Sequence, residues 1–161
     1  MGSLYNSHKM DKTINRIYIG YNLKYGHKAN GWLKDYPSEN IIETPVAENL
    51  MTGLAIGMAM EGFKPVLYFE RHDFMLNALD GLVNHLDKDF KYPVIIRACV
   101  GSTKPLDPGK QHTQNYTEAF KKMFKNIKIF EPKDRKGIQD LLDQEWKEPI
   151  MIIESREIYN K

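Results

Sequence analysis

Ile41-Ile42-Glu43-Thr44-Pro45-Val46-Ala47-Glu48-Asn49-Leu50-Met51-Thr52-Gly53 joins a short β-branched run to a helical pattern. Ile41-Ile42-Glu43 reads as a strand. Thr44 offers an N-cap oxygen, and Pro45 suits the first helical position, where a missing N–H costs nothing. The helix is expected to run to Glu61 and to stop at Gly62. Glu48 then falls in the first turn, close to the carboxyl end of the preceding strand. A carboxylate there complements the helix dipole, and it is also within reach of any ligand at that edge of a sheet.

Outward from this stretch, short strands alternate with longer helical patterns. Arg16–Tyr21, Pro65–Phe69, Val94–Cys99, Ile127–Phe130 and Ile150–Ile153 read as strands. Phe74–Lys88, Tyr116–Phe124 and Asp134–Trp146 read as helices, and Lys24–Asn30 as a loop. This alternation predicts an α/β fold, a mostly parallel sheet covered by helices on both faces. Ligands of such sheets bind outside the carboxyl ends of the strands.

Four features at or near that edge could carry chemistry. The first is Glu48. The second is its helix, where Gly53 and Gly57 form one row and Ala55 and Ala59 another. Helical glycine costs about 1 kcal/mol against alanine, so close approach of another helix or of the chain's own sheet should offset it. Met51, Leu54 and Met58 offer a separate core face. The third is the turn Phe69-Glu70-Arg71-His72-Asp73-Phe74, in which Asp73 could cap a helix and Phe74 could join the core. The fourth is the polar loop Gly101–Gln114, long for a compact domain and holding one histidine, His112. A loop histidine is commonly just solvated.

Composition excludes several classes. The chain has 161 residues, enough for one domain, with a net charge of +2 and 42% hydrophobic residues. That charge gives no argument for nucleic acid or a membrane surface. No apolar run reaches the ~18 residues of a membrane span. The single cysteine, Cys99, forms no intrachain disulfide and fits a reducing, cytoplasmic compartment. No HExxH, Cys/His cluster, Walker A, GxGxxG or GxSxG sequence occurs. Residues 1–15 read as an N-terminal arm and 16–161 as the domain.

The run Glu43-Thr-Pro-Val-Ala-Glu48-Asn-Leu-Met-Thr-Gly53-Leu-Ala-Ile-Gly57-Met-Ala-Met-Glu-Gly62-Phe-Lys-Pro65 resembles beta subunits of the 2-oxo-acid dehydrogenases, within the transketolase-like thiamine-diphosphate enzymes. The likeness continues through Asp73-Phe74, Asp80–Asn84, Tyr92–Arg97, Gly109–Gln114, Ile127–Pro132 and Glu148–Glu154. It implies the thiamine-diphosphate-binding fold, a three-layer αβα sandwich, in its pyrimidine-binding form. Glu48 matches the glutamate that hydrogen-bonds N1′ of the cofactor aminopyrimidine and, by a charge-assisted bond, activates it for ylid attack on a 2-oxo acid. Phe74 matches an aromatic that packs on the aminopyrimidine, and His112 a histidine that faces the substrate. The small-residue helix matches one packed at a subunit interface.

The resemblance also sets expectations about partners. The family holds Mg²⁺ and the diphosphate with a Gly-Asp-Gly motif of the other domain type, and no Gly-Asp-Gly occurs here. A separate diphosphate-binding, alpha-type subunit is therefore expected, in a heterotetramer or beside a homodimer of the pyrimidine domain. The beta subunits' C-terminal domain has no counterpart in this sequence. Gly20-Tyr21-Asn22 stands where the family has acidic residues, and Glu70-Arg71-His72 is unusually charged. A split transketolase acting on ketoses, and a non-catalytic regulatory subunit of the same fold, are the alternatives to a 2-oxo-acid decarboxylating component.

Overall fold

A computed structural model describes residues 15–89, 91–104 and 106–159. All of the arm expected over residues 1–15, except Asn15, lies outside them. Six strands form one sheet in which every pairing is parallel: β1 (Ile17–Gly20), β2 (Ile41–Glu43), β3 (Pro65–Phe69), β4 (Ile95–Val100), β5 (Lys128–Phe130) and β6 (Ile150–Ser155). Their order is β2-β1-β3-β4-β6-β5. The chain leaves β1 toward one side and later returns to its other side, so the sheet has a switch point between β1 and β3, the usual place for a ligand crevice. Because all strands run the same way, the loops after β1, β2, β3, β4 and β6 emerge at one edge.

Alternation along the strands divides the core in two. Ile19, Leu67, Phe69, Ile96, Ala98, Met151 and Ile153 point to one face. There they meet Met51 and Ala55 of α1 (Glu48–Met60), Leu82 and Leu86 of a π-helical segment (Asp80–Asp87), and Phe120 of α3 (Thr117–Met123). Tyr18, Val66, Tyr68, Ile95, Ile150 and Ile152 point to the other face. Among the described residues this second layer contains one longer helix, α4 (Arg135–Leu142). The remainder is the β1–β2 connection, which buries Leu23, Ala29 and Leu33. That connection winds through four consecutive left-handed residues, Lys28 to Gly31. Three are not glycine, an uncommon and strained conformation. Asn30 and Tyr68 anchor it, the Asn30 amide donating to the Tyr68 hydroxyl at 3.1 Å.

Four expectations about helices change. α1 begins at Glu48, not at Pro45, and its N-cap is Ala47 without a side-chain cap. The sheet wins over the cap here: the Thr44 N–H donates to the Gly20 carbonyl at 3.0 Å, continuing the β1–β2 ladder beyond the strand. Phe74–Lys88 is not one α-helix. It comprises the end of α2 (His72–Met75), a 3-10 turn (Leu76–Ala78) and the π-helical segment. α1 lies so close that a Cβ on Gly81 would come within 2.7 Å of Thr52 Cγ2, and the segment follows that contour instead of an ideal spiral. Asp73 is not a cap either, since α2 starts one residue before it, after Arg71. Asp134 does cap α4, accepting from the Gly137 N–H at 2.8 Å, although the helix ends at Leu142, short of Trp146.

Two carboxylates brace the fold from within. Asp87 accepts from the N–H groups of Lys125, Asn126 and Ile127 at 2.9–3.1 Å, clamping the turn into β5. Glu154 on β6 pairs with Arg97 on β4; both are fully buried. The Arg97 guanidinium lies against the Trp32 ring at 4.8 Å and near those of Tyr18 and Tyr68.

Candidate active site at the carboxyl edge of the sheet

Glu48 follows β2 by five residues, Phe74 follows β3 by five, and His112 lies in the long loop after β4. The parallel sheet therefore delivers all three to the same edge. Phe74 and His112 touch: their rings meet edge to face, centroids 5.3 Å apart and planes at 85°. Glu48 opens the neighbouring helix α1, which packs on β3 and on the two segments that continue from α2. Its side chain is only 6% exposed. Among the described residues no protein donor reaches its carboxylate; its carbonyl accepts from the Thr52 hydroxyl at 2.9 Å.

Buried polar atoms without partners among the described residues lie at this edge. They belong to Thr44 (Oγ1), Arg71 (Nε), His72 (Nε2), Asp73 (Oδ2) and His112 (Nδ1). Burying a polar group without a hydrogen bond costs several kcal/mol in an apolar surrounding. Such orphans, collected from three loops that converge on one edge, are atoms that a ligand, an ordered water or a second chain would satisfy. The donor set is mixed: a carboxylate, a guanidinium, imidazoles, a hydroxyl and an aromatic face. It suits an aromatic heterocycle with ring nitrogens beside a polar, anion-tolerant substrate. The residues present thus fit a bound aminopyrimidine.

The His112 loop is seated by backbone sterics as well as by rings. A Cβ on Gly101 would overlap the His112 carbonyl oxygen, so only glycine lets the loop fold back on the end of β4. A second polar group supports the edge near the switch point. Glu43 accepts from the N–H groups of Asn22 and Lys24 at 2.7 and 2.6 Å. Glu70 lies 2.7 Å from His27 Nε2 and accepts from Asn22 Nδ2 at 3.3 Å. Burial works to raise the Glu70 pKa, but His27, Arg71 and Asn22 together hold it below the usual carboxylate value. His72 is fully buried, and burial pushes its imidazole down to about 4, against a weaker upward pull from Glu131. It is therefore neutral at ordinary pH.

Sequence reasoning selected Glu48, Phe74 and His112. It did not select Glu43, His72 or Gly101. The charged turn Glu70-Arg71-His72 was visible as an oddity, but its contacts join residues from loops far apart in sequence. Nothing local signals that Gly101 abuts His112. The row of Gly53 and Gly57 does not face the sheet: nothing lies within 4 Å of a Cβ placed on either. Ala55 and Ala59 are the residues packed inward, with Met51, while Leu54 is exposed and Met58 half-buried.

Residues 10–161 match the family described as transketolase, pyrimidine binding domain. The chain is 27% identical over 140 residues to the pyruvate dehydrogenase E1 component subunit beta of Rickettsia conorii, spanning 81% of this chain and 42% of that protein. It is 26% identical to the mitochondrial counterpart of Drosophila melanogaster, over 81% of this chain and 38% of that one. This chain thus spans less than half the length of the curated relatives it matches. Among solved structures, a split-gene transketolase described as an inactive beta4 tetramer superposes with a TM-score of 0.70 at 21% identity. The match covers 88% of this chain and 45% of that one. The benzoylformate decarboxylase of Polynucleobacter necessarius superposes with a TM-score of 0.65 at 19% identity, covering 92% of this chain and 28% of that one. These structural likenesses show the fold: a parallel αβα domain of one type.

Proposed function

Because this chain belongs to the transketolase pyrimidine-binding domain family of thiamine-diphosphate enzymes, we propose that it supplies the aminopyrimidine half of an active site shared with a separate diphosphate-binding subunit. The observation that carries the reading is Glu48: a buried residue at the carboxyl edge whose carboxylate meets no donor among the described residues, on the same edge as a set of unpartnered polar atoms. When bound, thiamine diphosphate supplies the carbon nucleophile that adds to the carbonyl of a 2-oxo acid. Glu48 holds N1′ of the aminopyrimidine by a charge-assisted hydrogen bond and exchanges a proton there. Phe74 packs against that ring and, through its edge contact, fixes the plane of His112. His112 gives a proton to, or takes one from, the substrate oxygen. Mg²⁺ and the diphosphate are held by the partner.

The outer face of α1 supports assembly with another subunit. Val46 and Leu50 are each 60% exposed, Leu54, Met60 and Phe63 are also exposed, and the open row of Gly53 and Gly57 lies on the same helix. An apolar patch with a glycine row allows a close helix-to-helix contact. A heterotetramer of two such chains and two diphosphate-binding chains fits these features.

Replacing Glu48 by glutamine in the reconstituted complex tests the reading. Turnover is expected to fall by about 100-fold or more with the fold intact; unchanged turnover would remove Glu48 from the role. The substrate is proposed to be a 2-oxo acid. One observation favours a second reading, ketol transfer of the transketolase type: the turn at the edge carries a buried Arg71 whose Nε–H has no partner, which suits a phosphorylated or polyhydroxylated substrate better than an alkyl chain. Assays with pyruvate-like acids and with sugar phosphates separate the two.

A further inference from the structure

The turn His72–Phe74 grips the His112 loop at two points. Phe74 meets His112 itself, ring to ring. His72, two residues earlier, accepts the N–H of Tyr116 at 3.1 Å through Nδ1. Tyr116 lies four residues beyond His112 and immediately precedes α3. The His72 ring is fully buried and packs edge to face on Phe120 of α3, centroids 5.2 Å apart. At the other end of the loop, Gly101 abuts the His112 carbonyl. Among its described residues the span 101–116 is otherwise poor in anchors: the remaining hydrogen bonds are local, such as Gly109 N–H to Asp107 and the Thr113 hydroxyl to the Gly109 carbonyl.

We infer that His72 is a positioning residue, whose neutral imidazole, with its proton on Nε2, anchors Tyr116 and so fixes where His112 presents its ring. An accepting Nδ1 leaves Nε2 as the protonated nitrogen. That Nε2–H is buried and has no partner among the described residues. The tautomer is therefore set by the Tyr116 contact alone. A loop of this length loses little by fraying unless a non-local bond holds it. The His72–Tyr116 bond is the non-local hydrogen bond at its C-terminal end, and it joins the very turn that carries Phe74. Placement errors of about 1 Å in a reacting group cost up to ~100-fold in rate, so an anchor four residues from His112 matters to chemistry without touching it. The catalytic part of this inference rests on the role proposed for His112; the anchoring part does not.

Two variants separate acceptor from packing. His72→Phe keeps an aromatic ring against Phe120 but removes the acceptor. His72→Asn keeps an acceptor, Oδ1, near the position of Nδ1. In the full chain, amide exchange at Tyr116 and across 109–116 is expected to quicken at least about tenfold in His72→Phe and to return toward the original rate in His72→Asn. Original exchange in His72→Phe would overturn the anchor. In the assembled enzyme, His72→Phe is expected to lower kcat by about tenfold to a hundredfold with KM little changed, and His72→Asn to recover most of it. If His112→Ala cripples turnover while His72→Phe leaves kcat intact, the positioning role is wrong. If His112→Ala is itself harmless, the role proposed for His112 fails, and the exchange result still decides the anchor.

Discussion

At the scale of single residues, His72 also makes stability depend on pH. Its folded-state pKa is near 4, against an ordinary value of 6.5, because burial disfavours the imidazolium. Above pH 6.5 the group is neutral in both states and contributes its full share. Below it, the unfolded chain binds a proton that the folded chain refuses, so stability falls as pH drops from about 6.5 toward 4. The slope is about 1.4 kcal/mol per pH unit for this one group, on the order of 3 kcal/mol across the window. Urea unfolding at pH 7.5 and pH 4.5 should show the loss, and His72→Phe should lack that component. Gly101→Ala tests the other seat of the loop. The added methyl would overlap the His112 carbonyl, and a loss of about 2 kcal/mol is expected in the same unfolding measurement. Cys99 offers a contrast: burial pushes its thiol up to about 12, so thiol reagents should leave it unmodified in the folded chain.

At the scale of elements, the outer face of α1 gives a prediction whose sign depends on assembly. Gly57 is exposed, with open space where a Cβ would stand. In the isolated chain Gly57→Ala should therefore stabilise by about 0.5–1 kcal/mol, the ordinary helix-propensity gain. Gly57→Leu should leave the isolated fold intact but weaken association with the partner subunit if that face is an interface. Thermal melting and sedimentation of the two variants check both halves. The clamp at the end of the π-helical segment behaves oppositely. Asp87→Ala strips three backbone N–H groups of their acceptor, and a loss of about 3 kcal/mol is expected. Binary patterning could not place either feature: α1 is apolar on most of its surface, so periodicity does not show which of its small-residue rows faces the sheet. The same limit moved the helix start. Thr44-Pro45 is a good cap-and-start sequence, yet the ladder bond from Thr44 to Gly20 keeps the chain extended until Ala47.

At the scale of the whole molecule, the proposed role gives this chain the aminopyrimidine half of a site, and the sequence carries no Gly-Asp-Gly motif. Calorimetry should therefore find the isolated chain binding thiamine diphosphate at least about tenfold more weakly than the reconstituted complex, a difference of about 1.4 kcal/mol or more. Equal affinity in the two would show that this chain holds the diphosphate by itself.

The sequence alone determined the parallel α/β sheet, because alternating short β-branched runs and helical patterns admit few other topologies. It also singled out Glu48, Phe74 and His112 as candidates, because the ordered motifs that resemble the family's are legible in one dimension. Tertiary structure alone decided that Phe74 meets His112, that His72 ties down the loop beyond it, that Gly101 must lack a side chain, and that Gly53 and Gly57 face outward. Each of these joins residues across loops or fixes the rotation of a helix about its axis. Such relations are set by packing between distant segments, which no local propensity encodes.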